Sequence, residues 1–171
     1  MRCLQPSGRL AAAATILKRV ERRGWVEAGL RDVESVADHS FSLALLAMTY
    51  AAAKGLNIYR AVGMALLHDL AEAYTGDLTP RTKGRVPAQL LNRLEEAVLA
   101  EIFSELPSKL RRNYTTLYRE YVGGKSAEAR AVHMLDKTEM LWELRRLIAS
   151  GRRIRGPLKH MLEGLGGMKR L

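Results

Sequence analysis

A capped helix with no polar face is the strongest constraint on the fold of this chain. Ser35 and Asp38 make the capping-box pattern that begins many helices, with Asp in place of the usual Glu. The residues that follow, up to Lys54, are nearly all apolar, and Gly55 ends the run. Because a helix that is apolar on every side has to be covered on every side, the pattern predicts a bundle with this helix at its centre.

The rest of the chain shows helical periodicity interrupted by capping residues, proline and glycine, with little of the alternation that is typical of strands. We predict a single all-α domain over residues 1–171, a bundle of about six or seven helices with its core over about 8–150 and a basic C-terminal tail helix within 151–171. Residues 22–32 and 75–86 are predicted to be loops. The further predicted helices run to about Arg22 after the cap Ser7, from Ile58 to about Tyr74 after the cap Asn57, and from Pro87 to about Glu105. Another follows Pro107 and runs to Val122, a long one runs to about Ser150 after the cap Ser126, and the tail helix begins at Pro157.

The composition is that of an ordinary globular protein. At 171 residues, with 47% hydrophobic and 27% charged side chains, the chain can bury one sizeable core. Its longest apolar run, residues 41–53, is shorter than the ~20 residues that a membrane span needs, so no membrane partner is expected. Residues 1–9 lack the apolar core of a signal peptide, and the lone Cys3 cannot form an internal disulfide. Both features favour a cytoplasmic location.

The net charge of +10 leaves two classes of partner open. A basic surface attracts polynucleotides, but it also attracts small phosphorylated substrates, and arginines spread along solvated helix faces give the same total. The basic residues cluster only within 152–155 and at Lys169 and Arg170. A small substrate is therefore favoured, and nucleic-acid binding is kept as an alternative.

An adjacent histidine and aspartate, His68 and Asp69, stand in an otherwise apolar predicted helix. Burying both is costly without a partner, and a divalent metal ion suits imidazole and carboxylate alike. Glu72 lies one helical turn after His68 on the same face, and Asp77 follows the helix after Gly76. This stretch predicts two metal ligands with a carboxylate nearby for acid–base chemistry.

Three other residues have both an ordinary and a functional interpretation. His39 lies in the first turn of the central helix, where a lone histidine is usually structural. Asp136 lies on an apolar face of the long helix from Ser126, where either an arginine or a metal ion can balance its charge. Trp25 lies in a polar loop, either as a plug of the core or as the wall of a binding pocket.

Taken together, the motifs around these residues resemble those of the HD-domain phosphohydrolases, in particular the 5′-deoxynucleotidase branch. The histidines and acids occur in the family's order, with one His, then His-Asp, then Asp. The resemblance covers most of the chain, from residue 10 to residue 148. The matching segments are KRVERRGW at 18–25, ESVADHS at 34–40, LHDLAE at 67–72, GDLTP at 76–80 and LDKTEM at 135–140.

The resemblance implies an HD-domain helical bundle with a single divalent metal ion as its cofactor. Cobalt, manganese, magnesium, zinc, iron and nickel all stay open, because such a ligand set accepts each of them to some degree. Glu72 and Asp77 match carboxylates that are implicated in catalysis. The positions that match the metal ligands are His39, His68, Asp69 and Asp136.

The resemblance also implies a substrate-binding set. Arg22 matches an arginine that orients the phosphate, although Arg23 is an adjacent rival, and Trp25 lies near that wall of the pocket. The residues that match a loop touching the nucleoside are Asp77, Leu78, Thr79 and Pro80.

The implied activity is metal-dependent hydrolysis of a phosphomonoester, in the first place a deoxyribonucleoside 5′-monophosphate, to a nucleoside and phosphate. Nucleoside triphosphates, another small phosphoester, and binding or cleavage of nucleic acid on the basic surface stay open as alternatives. Relatives are commonly dimers, so we expect a homodimer. Apolar side chains in the helix after Pro107 favour it or, alternatively, cover the bundle of a monomer: Tyr114, Leu117, Tyr118 and Tyr121.

Overall fold

The computed structural model of the protein describes residues 8–153, which fold into a bundle of nine helices. Six of these helices have ten residues or more, and α2, α5 and α6 have five or fewer. In chain order the helices are α1 (Gly8–Leu17), α2 (Arg23–Glu27), α3 (Val36–Lys54), α4 (Ile58–Leu67), α5 (Glu72–Thr75), α6 (Pro80–Lys83), α7 (Ala88–Ile102), α8 (Ser108–Gly123) and α9 (Ala127–Ala149).

The all-α prediction is confirmed. Within residues 8–153 the only pairing of the β type is an isolated bridge between Glu21 and Ser35. The six longer helices agree with the predicted number, whereas the predicted tail helix from Pro157 lies outside the described residues. None of the helices between residues 8 and 153 combines the length and the apolar composition that crossing a membrane requires.

Helix α3 is capped as the sequence predicts. The Ser35 hydroxyl accepts a hydrogen bond from the backbone N–H of Asp38 at 3.1 Å, and the Asp38 carboxylate accepts one from the N–H of Ser35 at 2.9 Å. Gly55, at φ = 66°, ends the helix in the left-handed conformation. The helix packs against α1, α4 and α9, and its buried face includes His39 and Leu43. It is therefore the central helix of the bundle.

The prediction that α3 is covered on every side is wrong for one stripe. Phe41, Leu45 and Met48 are 63%, 46% and 45% exposed. Their spacing of four and three residues puts them on the same side of the helix. The central helix thus presents an apolar stripe at the surface of the bundle that residues 8–153 form.

The four apolar residues of α8 on which the dimer prediction depends face inward instead. Leu117 and Tyr118 are buried in the core, and Tyr114 and Tyr121 are partly buried against it. The hydroxyl of Tyr118 donates a hydrogen bond to Glu95 of α7 at 2.6 Å. These side chains cover the bundle of one chain, so they do not support the expected homodimer.

The predicted continuous helix over residues 58–74 is wrong, because it breaks between α4 and α5. Beyond Leu67 the backbone N–H of Leu70 donates to the carbonyl of Leu67, and that of Glu72 donates to Asp69. These three-residue steps are tighter than the four-residue steps of an α-helix. The tighter turn changes the directions of the side chains from His68 to Glu72 relative to a regular helix.

Two predicted loops contain short helices, and the first helix ends early. The loops over 22–32 and 75–86 hold α2 and α6, and α1 ends at Leu17 rather than near Arg22. The reason lies in the segment after α1, where the backbone N–H of Val36 donates to Val20 and that of Arg22 donates to Glu34. This extended pairing with the start of α3 excludes a helical conformation there.

We predict that Leu43→Ala destabilises the fold, because Leu43 is fully buried in the central helix. The lost burial and the cavity left behind should lower the free energy of unfolding by about 2–5 kcal/mol, measured by urea denaturation. Leu90→Ala is the control, since Leu90 is 58% exposed on α7. Equal effects of the two substitutions would contradict the assignment of α3 to the core.

Candidate active site

Two buried histidines from neighbouring helices face each other. His39 lies in the first turn of α3 and His68 ends α4, and their Nε2 atoms are 3.3 Å apart. On the far side of each ring, Nδ1 of His39 lies 2.6 Å from a carboxylate oxygen of Glu139, and Nδ1 of His68 lies 2.8 Å from the carbonyl oxygen of Ala65. Both acceptors favour a hydrogen on Nδ1, which directs both Nε2 atoms toward one point.

Two carboxylates approach the same point. A carboxylate oxygen of Asp69 lies 3.0 Å from Nε2 of His68 and 4.0 Å from Nε2 of His39, and one of Asp136 lies 3.2 Å from Nε2 of His39. Burial raises the pKa of both acids, but the neighbouring histidines outweigh it, and for Asp69 Arg22 adds to their effect, so both pKa values are below their ordinary range. The two carboxylates are therefore ionised at neutral pH.

The donor set fits a divalent metal ion. His39, His68 and Asp136 each offer one ligand atom, and these atoms lie within 4.8 Å of one another. Asp69 adds a carboxylate beside them. Imidazole nitrogens with carboxylate oxygens are ligands of zinc and of several other divalent ions.

The pKa of His39 shows that the site favours a positive charge. Burial lowers the pKa of its imidazole, but the hydrogen bonds with Asp136 and Glu139 have the larger effect and raise the pKa to about 9. A proton on Nε2 and a metal ion would occupy the same point beside Asp136. The site thus attracts positive charge to that point.

A second cluster lies behind His39. Glu34, His39 and Glu139 also offer ligand atoms within 4.8 Å of one another. The Glu34 carboxylate accepts a hydrogen bond from the indole N–H of Trp25 at 2.9 Å. Burial raises the pKa of Glu34 to about 7, the Trp25 bond lowers it, and the negative charge of Glu139 raises it.

A cavity of about 340 Å³ opens beside the two aspartates. It brings together every residue that the sequence predicts for substrate binding and catalysis, and it adds residues that the sequence does not assign to the site, among them Lys83, Tyr121 and Lys137. The predicted residues in its lining are Arg22, Trp25, Asp69, Glu72, Asp77, Leu78, Thr79, Pro80 and Asp136.

Of the two rival arginines, Arg22 faces the cavity. Its guanidinium donates a hydrogen bond to Asp69 at 3.0 Å, and its side chain is 16% exposed. The side chain of Arg23 is exposed, and only its backbone N–H contacts the site, donating to Asp77 at 2.7 Å. Asp77 therefore joins the start of α2 to the loop that precedes α6.

Trp25 satisfies both interpretations of the sequence. It is 3% exposed and packs with Leu30, Leu144 and Leu147 in a small apolar cluster. It also forms part of the cavity lining. The indole ring is therefore a core residue with one part at the cavity.

Glu72 is the carboxylate with the most unusual environment. One oxygen lies 3.6 Å from the ammonium of Lys83, and the other is buried with no hydrogen-bond partner among residues 8–153. Burial and the negative charges of Asp69 and Asp77 raise its pKa to about 9, although Lys83 and Arg22 lower it. A buried acid that holds its proton at neutral pH is suited to proton transfer.

Glu139 and Lys83 contact predicted site residues, although the sequence does not assign them to the site. Glu139 stands in the motif over 135–140, three residues after Asp136 on the same helix, and that spacing places both on one face of α9. Lys83 follows the loop over 77–80, and no sequence pattern distinguishes it from the other basic residues.

Comparison with known proteins shows the family of this chain. The profile of the HD domain matches residues 14–151. Among curated proteins, the human 5′-deoxynucleotidase HDDC2 is 40% identical over 125 residues, which is 73% of this chain and 60% of the relative. The chain thus matches less than two thirds of the length of that relative.

Solved structures share the fold. The PH0347 protein from Pyrococcus horikoshii is 29% identical with a TM-score of 0.73, and the match covers 95% of this chain and 88% of that one. A predicted metal-dependent phosphohydrolase from Magnetospirillum magnetotacticum is 26% identical with a TM-score of 0.64, over 78% of this chain and 68% of the other.

We predict that Glu72→Gln stabilises the protein at alkaline pH. The carboxyl has an ordinary pKa of 4.5 and a pKa of about 9 in the fold, so the native state binds more protons than the unfolded state between these values. The free energy of unfolding of the wild type therefore falls as pH rises through this window, and the substitution removes that loss. Urea denaturation with a chelator present should show an advantage that grows by up to about 1.4 kcal/mol per pH unit between pH 5 and pH 9.

Glu96→Gln is the matched control for this measurement. Glu96 is paired with Arg119 at the surface, and the hydrogen bond from Arg119 lowers its pKa. Its substitution should give no advantage that grows with pH. An advantage of Glu72→Gln that is constant from pH 5 to pH 9 would contradict the raised pKa.

Proposed function

Because this chain belongs to the HD-domain family, we propose that it is a metal-dependent phosphohydrolase that acts on deoxyribonucleoside 5′-monophosphates. The observation that carries the proposal is the convergence of two imidazole Nε2 atoms and two carboxylates beside a cavity that also holds Arg22 and Lys83. The substrate class is supported by the human relative, which is named a 5′-deoxynucleotidase.

Four residues would hold the metal ion in this proposal: His39, His68, Asp69 and Asp136. Once bound, the ion would supply Lewis acidity, which polarises a phosphate oxygen and lowers the pKa of coordinated water. Two nitrogens and two oxygens are compatible with cobalt, manganese, magnesium, zinc, iron or nickel, so the donor set does not select among them.

Arg22 and Lys83 would bind the phosphate. Four carboxylates line the cavity, so a phosphate dianion needs positive side chains to enter it. The contact of Arg22 with Asp69 runs through one guanidinium nitrogen, Nη1. The other donors of the guanidinium are available for the non-bridging oxygens of a phosphate, where paired contacts are strong.

Glu72 would transfer the proton, and Asp77 would hold the loop. Glu72 has a raised pKa and a buried oxygen without a hydrogen-bond partner in the described part of the chain. It can therefore protonate the leaving 5′-oxygen. One oxygen of Asp77 already accepts a hydrogen bond from the N–H of Arg23, which favours a positioning role for this residue.

The loop with Leu78, Thr79 and Pro80 would contact the nucleoside. The hydroxyl of Thr79 donates to Glu27 at 3.3 Å and lies 3.3 Å from the hydroxyl of Thr82, so its hydrogen-bonding capacity is largely used. The neighbouring Leu78 and Pro80 offer no side-chain hydrogen bond. A ribose 2′-hydroxyl buried there would lack a partner, which would favour deoxyribose.

A homodimer through the surface of α3 and α4 is also proposed. Five of the exposed apolar residues of this face line a groove of about 640 Å³ between α1, α3, α4 and α8, and Leu45 lies on α3 beside them. We call these six residues the apolar face. Apolar patches of this kind are typical of protein interfaces. A second copy is the occupant that the resemblance to dimeric relatives supports. The apolar face consists of Phe41, Leu45, Met48, Ile58, Tyr59 and Leu66.

We predict phosphate release from deoxyribonucleoside 5′-monophosphates only when a divalent ion is added to chelator-treated protein. Cobalt, manganese, magnesium and zinc should be compared on deoxy- and ribonucleotides, with the deoxy substrates faster. His68→Ala should abolish the activity, and Glu72→Gln should lower kcat by about 100-fold or more, since general acid–base groups contribute that much.

Glu96→Gln, at the surface, should keep the activity. Release from nucleoside triphosphates alone would contradict the monophosphate assignment. Salt-sensitive binding of polynucleotides by the metal-free protein, without any phosphatase activity, would favour the nucleic-acid alternative instead.

We predict that the wild type sediments as a dimer at micromolar concentration and that Phe41→Glu makes it a monomer. A carboxylate at this 63%-exposed position is harmless in a monomer and is buried unpaired in a dimer. Leu90→Glu on α7, outside the apolar face, should leave the dimer intact. A monomeric wild type would refute the dimer.

A further inference from the structure

The two histidines of the site are oriented by different kinds of acceptor. Nδ1 of His68 is 2.8 Å from the carbonyl of Ala65, which is part of the same helix. Nδ1 of His39 is 2.6 Å from the carboxylate of Glu139, which is 100 residues away in sequence and comes from α9. His68 is thus oriented by its own helix, and His39 depends on a side chain from another one.

The burial of Glu139 has no evident structural benefit apart from this contact. Its side chain is 8% exposed, and its polar partner among the described residues is His39. Glu34 lies close by and adds negative charge, which makes a second buried carboxylate more costly. A well-packed apolar residue in the same place would stabilise a bundle at least as well.

We propose that Glu139 is a positioning residue that fixes His39 as a metal ligand. By accepting the hydrogen on Nδ1, it keeps the lone pair of Nε2 directed at the point where Asp136 and His68 converge. Its negative charge also makes Nε2 a stronger donor, as buried carboxylates do for ligating histidines elsewhere. The inference rests on the metal site of the proposed function and adds a residue that does not touch the ion or the substrate.

Helix α9 supplies the acidic side chains on both sides of the His39 ring. Asp136 contacts Nε2 of His39 at 3.2 Å, and Glu139 contacts Nδ1 at 2.6 Å. The three-residue spacing puts the two acids on one face of the helix, so the imidazole ring lies between them. A single helix therefore provides one ligand and orients another.

If Glu139 has a structural role only, a different result is expected. If Glu139 only balances a buried imidazolium, its loss should change stability and leave the affinity for metal unaffected once the protein is folded. If it positions His39, its loss should weaken metal binding in a protein that remains folded. Metal affinity, measured without substrate, separates the two.

The test compares Glu139→Gln, Glu139→Met and the wild type for binding of Co²⁺ by isothermal titration calorimetry. Gln keeps the shape and an oxygen that can accept the Nδ1 hydrogen but removes the charge, whereas Met removes the acceptor. We expect the affinity to fall about 10-fold in Glu139→Gln and about 100-fold in Glu139→Met. Glu143→Gln is the matched control, because Glu143 lies one turn further on α9 and pairs with Arg146.

Nitrogen NMR of ¹⁵N-histidine-labelled, chelator-treated protein at pH 10, above the pKa of about 9 at which the imidazole of His39 loses its second proton, gives the second readout. His39 should carry its hydrogen on Nδ1 in the wild type and in Glu139→Gln and should lose that preference in Glu139→Met. The His68 signal should not change, since its acceptor is a backbone carbonyl. Circular dichroism establishes whether each variant is folded. If Glu139→Met does not fold, the comparison is made between Glu139→Gln and the wild type.

The outcomes test the positioning role of Glu139 separately from the proposed function. Wild-type affinity for Co²⁺ in folded Glu139→Gln, or in folded Glu139→Met, would overturn the positioning role. Weakened binding in both variants, in a protein that releases no phosphate from any nucleotide, would support the positioning role and refute the proposed substrate. Failure of the wild type to bind Co²⁺, Mn²⁺ or Zn²⁺ would overturn both.

Discussion

The fold and the site both depend on a histidine ring with no exposed surface. His39 lies where α3, α4 and α9 meet, and both of its nitrogens have polar neighbours there: Glu139 on one side, and Asp136 with His68 on the other. A shift of one helix against the others would leave a buried nitrogen unpaired, at a cost of about 1–3 kcal/mol. The packing of the bundle and the geometry of the site are therefore a single arrangement.

The charges of the site explain its two most unusual titrations. Four carboxylates line the cavity against the cations of Arg22, Lys83 and Lys137, and Glu139 and Glu34 lie behind His39. Burial, together with the negative charges of Asp69 and Asp77, raises the pKa of Glu72 to about 9. For His39, burial lowers the pKa, but the hydrogen bonds with Asp136 and Glu139 outweigh it and raise the pKa to about 9. A divalent cation would replace the proton of His39, and its charge would in turn favour a phosphate dianion. Binding of the ion and of the substrate would thus support each other.

Much of this architecture can be predicted from local patterns. The cap of α3 follows from Ser35 and Asp38, and the residues of the cavity follow from motifs whose order and spacing are specific. What could not be predicted depends on tertiary contacts. The break after Leu67 arises where the tighter turn accompanies burial of His68, and nothing in the apolar pattern marks it. The role of Glu139 depends on a partner 100 residues away, and the exposed stripe of α3 looks in sequence like a covered one.

The contacts between α2 and the loop before α6 have a consequence for turnover. The N–H of Arg23 is bonded to Asp77, and the hydroxyl of Thr79 is bonded to Glu27, so two hydrogen bonds join these segments across one side of the cavity. Arg22 and Trp25 belong to the first segment, and Leu78 and Pro80 belong to the second. In the proposed hydrolysis, any opening of this wall to release the product would therefore have to break both hydrogen bonds or move both segments together.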